Sequence, residues 1–158
     1  MTQRTTELAV RKQVTVEAAQ ARAFAVFTDG LASWWPLEGY HIGDQPAVTA
    51  AMEPRAGGRW FERAVDGSEC DWGRVLVWEP PSRVVLSWAI DADFKADATV
   101  DTEVEVRFIA EGPTTTRVEF EHRGLEQYAE RAAEMQAQFD SEGGWSALLA
   151  LFADLARS

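Results

Sequence analysis

The chain has 158 residues, 46% hydrophobic and 26% charged, which suits one domain spanning residues 1–158 with its own core. Its net charge of −11 argues against nucleic acid, whose phosphates require Lys and Arg, and leaves no basic patch for an anionic lipid surface. No apolar run reaches the roughly 18 residues of a membrane helix, the start is not signal-like, and the lone Cys70 forbids an intramolecular disulfide, so a cytoplasmic protein without membrane insertion is expected.

In chain order, Leu8 to Val16 reads as a strand, with Val10, Val14 and Val16 on one face. Lys12 shares their parity, which predicts an edge or a cavity rim. Glu17 to Phe27 has helical spacing, with Ala23, Phe24 and Phe27 on one side and Asp29-Gly30 as the stop. Pro36 ends any helix in Leu31–Pro36, and a Gly-rich loop follows. Strands are expected over Val48–Glu53, Arg59–Val65, Glu69–Trp78 and Arg83–Ile90, with Asp66-Gly67 marking a hairpin. Thr102–Ile109 and Thr115–Arg123 alternate apolar and charged residues, as a hairpin with one wet face does. Leu125 to Phe139 carries a helical stripe of Leu125, Tyr128, Ala132, Met135 and Phe139.

The tail from Ser141 to Ser158 is a further amphipathic helix striped by Trp145, Leu148, Leu149, Phe152 and Leu155. Asp140 and Ser141 are its candidate N-caps, which places Gly143 and Gly144 inside its first turn. Each glycine there costs about 1 kcal/mol, a cost that close backbone approach would explain. Antiparallel strands with segregated helices make an α+β fold, and a bent sheet around a long helix encloses a cavity.

Several segments together resemble the START-like (SRPBCC) superfamily, and within it the branch related to the activator of heat-shock protein 90 ATPase. They are Val14-Thr15-Val16-Glu17-Ala18-Ala19 followed by Phe24, Ser33-Trp34-Trp35-Pro36, Glu53 to Glu62, Trp72-Gly73-Arg74-Val75 leading into Trp78-Glu79-Pro80-Pro81, Glu121 to Leu125, and Gly143-Gly144-Trp145. The likeness covers nearly the whole chain. Ala19 departs from it, since many relatives carry proline there. The resemblance implies a helix-grip fold: a curved seven-stranded antiparallel sheet around a long C-terminal helix, with an internal cavity. Many members of the superfamily bind hydrophobic small molecules in that cavity, some are cyclases, aromatases or dehydratases, and others assist chaperones.

Seven tryptophans are the compositional anomaly, and a broad amphipathic ring serves a core and a ligand pocket equally well. Trp35, Trp60, Trp72 and Trp88 lie on or beside segments expected to line the cavity, with indole N–H groups able to orient a ligand. Phe120 and His122 share the inward parity of their strand. His122 is a candidate acid or base, weighed against a rim histidine with a hydrogen-bonded ring. Glu62 shares the parity of Trp60, so it is a candidate carboxylate beside an apolar pocket, weighed against a surface-strand position. Arg74 and Asp71 form a candidate rim ion pair. Cys70, between Glu69 and Asp71, should have a raised thiol pKa and be a poor nucleophile.

His41 sits in the Gly-rich loop three residues before Asp44, without metal-ligand spacing, and neither a metal nor a cofactor is expected. Three functions compete. One is a binder of a small hydrophobic or aromatic molecule. A second is a cyclase or dehydratase moving protons with Glu62 or His122. A third is a chaperone partner, disfavoured because no second domain is present to help hold one. A homodimer is left open.

Overall fold

The computed structural model describes residues 8–157. Seven strands form one antiparallel sheet: β1 (Ala9–Val16), β2 (Ala47–Met52), β3 (Arg59–Ala64), β4 (Glu69–Glu79), β5 (Arg83–Trp88), β6 (Thr102–Gly112) and β7 (Thr115–Arg123), in the order β1-β7-β6-β5-β4-β3-β2. The helices are α1 (Gln20–Thr28), α2 (Leu31–Trp34), α3 (Ala132–Asp140) and α4 (Trp145–Ala156), with a 3-10 segment over Leu125–Arg131. This is the α+β helix-grip fold, with a curled seven-stranded antiparallel sheet against the C-terminal helical region.

The alternation of apolar and charged residues sets which side of the sheet holds the core. Val104, Val106, Phe108, Val118 and Phe120 are buried on the inner face. Phe152 of α4 meets Phe27 of α1 edge to face at 5.2 Å, and Trp145 meets Phe120 at 4.6 Å, so the C-terminal helix bridges α1 and the sheet. β1 is an edge strand, which accounts for Lys12: its ammonium reaches the Asp140 carboxylate at 2.6 Å instead of entering the core. The outer face carries crossed ion pairs. Glu105 points outward yet is buried beneath Arg83, Arg107 and Arg123. Burial alone would raise its carboxyl, but hydrogen bonds from Arg123 and Arg83 and the charge of Arg107 bring it down to about 2.

Four local expectations are corrected. The first helix begins at Gln20, not Glu17, because Ala19 is extended (φ −63°, ψ 152°). The Leu125–Phe139 stripe is buried as expected, but not on one helix: Ala129 at φ 55°, ψ −123° kinks the backbone within the 3-10 segment, two residues before Arg131 leads into α3. The spacing from Leu125 to Tyr128 suits three residues per turn as well as 3.6, so periodicity alone does not reveal the break. Ser141 does not cap α4; it closes α3, donating from Oγ to the Gln138 carbonyl, and α4 starts at Trp145 after Gly144. Finally, Asp71 pairs with Arg59 at 2.9 Å, not with Arg74.

Gly143 and Gly144 therefore precede the helix and impose no interior helix cost. A Cβ on Gly144 would lie 2.5 Å from the Phe139 carbonyl oxygen and 2.6 Å from that of Gln138, so the close approach is to the end of α3. Gly73 has a similar reason: a Cβ there would stand 1.9 Å from the Ser87 oxygen, where the Trp60 indole crosses to donate.

Candidate functional site

A cavity of about 410 Å³ lies between the inner face of the sheet, the 39–42 loop and the turn before α4. Trp35, Trp72, Trp88 and Trp145 wall it, while Tyr40, His41, Gln138 and Ser141 add polar groups. The walls form one connected ring cluster: Trp35–Trp72 at 4.9 Å, Trp35–Trp145 at 6.0 Å and Trp88–Trp145 at 5.3 Å between centroids.

Three of these wall indoles give their N–H to protein acceptors. Trp35 donates to the Tyr40 carbonyl at 3.0 Å, Trp72 to Glu62 Oε1 at 2.8 Å and Trp145 to His122 Nδ1 at 3.1 Å. Trp60, behind the wall, donates to the Ser87 carbonyl at 2.8 Å. These four donors are thus not available to orient a ligand, contrary to the expectation from sequence for Trp35, Trp60 and Trp72. Trp88 Nε1 is the one buried side-chain N or O atom among the described residues without a well-formed hydrogen bond. The oxygen it influences is the Tyr128 hydroxyl, which donates to the Ile90 carbonyl at 2.7 Å. Burial pushes Tyr128 up to about 12 despite the opposing pull of Thr102 and Trp88.

Of the residues singled out from sequence, Trp35, Trp72 and Trp88 line the cavity, whereas Trp60, Glu62, Phe120 and His122 stand outside its lining. His122 is not at a rim. It is fully buried, with Nδ1 accepting from Trp145 and Nε2 at 2.9 Å from Thr102 Oγ1. Because Nδ1 accepts, Nε2 carries the proton and donates to Thr102, whose hydroxyl passes its own hydrogen to the Trp88 carbonyl at 3.1 Å. Burial lowers the imidazole to about 3, so the ring is neutral and both nitrogens are engaged.

Glu62 is 1% exposed and also inward, but its work is local. Oε1 accepts from the Ile42 amide at 2.6 Å and from Trp72; Oε2 accepts from the Gly43 amide at 3.0 Å. One carboxylate therefore fixes the loop over the cavity and the orientation of a wall indole. Tyr40 adds a second tie, donating to the Gly143 carbonyl at 2.7 Å and joining the loop to the turn before α4. Cys70 is half-buried, and its thiol is pushed up to about 11, chiefly by burial and then by the charges of Glu62, Asp71 and Asp44. That leaves it a weak nucleophile at neutral pH.

Sequence reasoning gave no cavity role to Tyr40, Gln138 or Ser141, and treated His41 only as a metal candidate. The available signal was an aromatic and a titratable residue placed together between Gly39 and Gly43. Among the described residues no three His, Cys, Asp or Glu side chains group as metal ligands would. No helix of the described residues is long and apolar enough to cross a membrane.

Comparison with known proteins agrees with this fold. The family model for Activator of Hsp90 ATPase homolog 1-like protein matches residues 17–157. The chain belongs to that family. The anthrahydroquino-γ-pyrone synthase Txn09, solved in complex with SUM, is 36% identical, with a TM-score of 0.65 over 94% of this chain and 96% of that one. CalC from Micromonospora echinospora, described as a self-sacrificing resistance protein, is 26% identical, with a TM-score of 0.69 over 96% and 95%. The Aha1 dimer from Colwellia psychrerythraea shares the fold at 16% identity, with a TM-score of 0.62 over 95% and 96%. No curated protein matches this chain.

Proposed function

We infer that this family member binds a flat aromatic molecule in the cavity between the sheet and the C-terminal helical region. The observation that carries this is the way the walls are wired. Trp35, Trp72 and Trp145 each commit their N–H to a protein acceptor, so they offer an occupant ring faces and edges, not hydrogen-bond donors. A volume of about 410 Å³ falls within the range of small-molecule sites, roughly 300–1,000 Å³. The name of the 36%-identical Txn09 contains an anthrahydroquino-γ-pyrone, a fused, oxygen-bearing aromatic system of the shape these walls suit. The Hsp90-activator name of the family is a weaker guide here, because the aromatic surface is turned inward around a cavity.

Titrating the intrinsic tryptophan fluorescence with anthraquinone tests this reading. Saturable quenching with one molecule per chain and roughly micromolar or tighter affinity is expected. If no member of a panel of planar aromatics quenches saturably, and native mass spectrometry shows only the unliganded chain, the reading fails.

A further inference from the structure

We propose that His41 accepts the proton of a hydroxyl on the aromatic occupant, so that the cavity selects ionisable hydroxyaromatics (phenols or enols) and holds them as the anion. This rests on the cavity reading above and names the ligand chemistry it takes.

The loop backbone fixes the tautomer of His41. His41 Nδ1 lies 3.0 Å from the Gly43 carbonyl oxygen, which can only accept. Nδ1 therefore carries a hydrogen, and in the neutral ring Nε2 is left as an acceptor. Among the described residues no protein group hydrogen-bonds to Nε2, and the ring lines the cavity with 27% of its side chain exposed. Among the described residues, a ring nitrogen without a protein partner thus stands in the lining of a cavity walled by tryptophans.

A carboxylate stands close to the ring on its Nδ1 side. Glu62 Oε2 lies 3.9 Å from His41 Nδ1 and is the acidic group within ion-pair reach of it. The same carboxylate holds the amides of Ile42 and Gly43, the two residues that follow His41. One buried group therefore orients the imidazole and would stabilise the imidazolium once formed, as a carboxylate behind a histidine does. The step balances simply. The ligand O–H bond breaks, its electron pair stays on the ligand oxygen, and the proton forms the Nε2–H bond of His41. The resulting anion and imidazolium remain paired by their opposite charges. His41 is the group that touches the ligand, and Glu62 is a positioning residue acting through it.

Alizarin, a dihydroxyanthraquinone whose visible spectrum changes when a hydroxyl ionises, is the probe, with anthraquinone as its non-ionisable companion. Both are titrated at a pH about one unit below the free dye's own pKa. The wild-type chain should hold alizarin with the spectrum of its anion. His41→Gln should hold it as the neutral phenol, and its preference for alizarin over anthraquinone should fall about tenfold or more. Glu62→Gln should reduce the anionic fraction with His41 still present, and rescue by Glu62→Asp would mark a charge effect. Thermal melts confirm that each variant is folded. Neutral dye on the wild type, or an unchanged anion spectrum on His41→Gln, overturns the proposal even while anthraquinone still binds. If neither probe binds the wild type, the cavity reading falls and takes this proposal with it.

Discussion

His122 and His41 are joined by one chain of contacts, running from His122 through Trp145, Trp35 and Trp72 to Glu62 and His41. At the His122 end both imidazole nitrogens have a partner, the side chain is fully buried, and burial brings the imidazole down to about 3, so it is neutral. At the His41 end one nitrogen is tied back to the loop and the other is free, with a carboxylate behind it. The same side chain is thus a packing unit at one end and a chemical group at the other. Burial alone does not separate the two uses, because Glu62 is as buried as His122 and serves the open end. What separates them is whether any polar atom is left over once the protein's own hydrogen bonds are made.

Trp145→Ala breaks the closed end most severely. It removes a 3%-exposed indole packed on Phe120, Trp88 and Trp35 and leaves His122 Nδ1 without its donor. A loss of about 3–5 kcal/mol in chemical denaturation is expected. Stability equal to wild type would mean that this end is not the packed anchor described.

The next largest effect is a pH slope. The unfolded chain protonates His122 near 6.5, whereas the folded chain resists until about 3, so between those values the unfolded state binds the extra proton. This contribution is intact above pH 6.5 and is lost as pH falls towards 3. Between pH 7 and pH 5, above the range where Glu105 titrates, roughly 2 kcal/mol should go. His122→Phe should flatten that slope, whatever its baseline stability; a variant retaining the full slope would assign it elsewhere.

Much of the framework was legible because it depends on periodicity. The Val104–Val106–Phe108 and Val118–Phe120 alternations identify the inner face, and the Trp145–Phe152 stripe identifies the gripping helix. The break at Ala129 was not legible, since an apolar stripe constrains which residues are buried and not the dihedrals between them. At the site, parity set His122 on the inner face with Phe120 and put Glu62 on the same side as Trp60, but parity cannot say where an N–H points. The acceptors that capture the indoles of Trp35 and Trp60 are backbone carbonyls, of Tyr40 and Ser87, which no residue type announces. The His41 geometry depends on Glu62 meeting the Ile42 and Gly43 amides from about 20 residues away in sequence, a contact set by the fold alone.

The smallest predicted effect tests whether the open end is held by one tie or two. Tyr40→Phe removes the hydroxyl that donates to the Gly143 carbonyl and keeps the ring. Global stability should fall by only about 0.5–1.5 kcal/mol, the usual net value of one hydrogen bond. The local consequence is more telling. The Ile42 and Gly43 amides are bonded to Glu62 and should be protected from hydrogen exchange in the wild type. If the Tyr40 tie shares the load, both amides should exchange up to about tenfold faster in Tyr40→Phe. Unchanged protection would place the whole restraint on Glu62, and the loop carrying His41 would then be anchored to β3 with no mechanical link to the turn before α4.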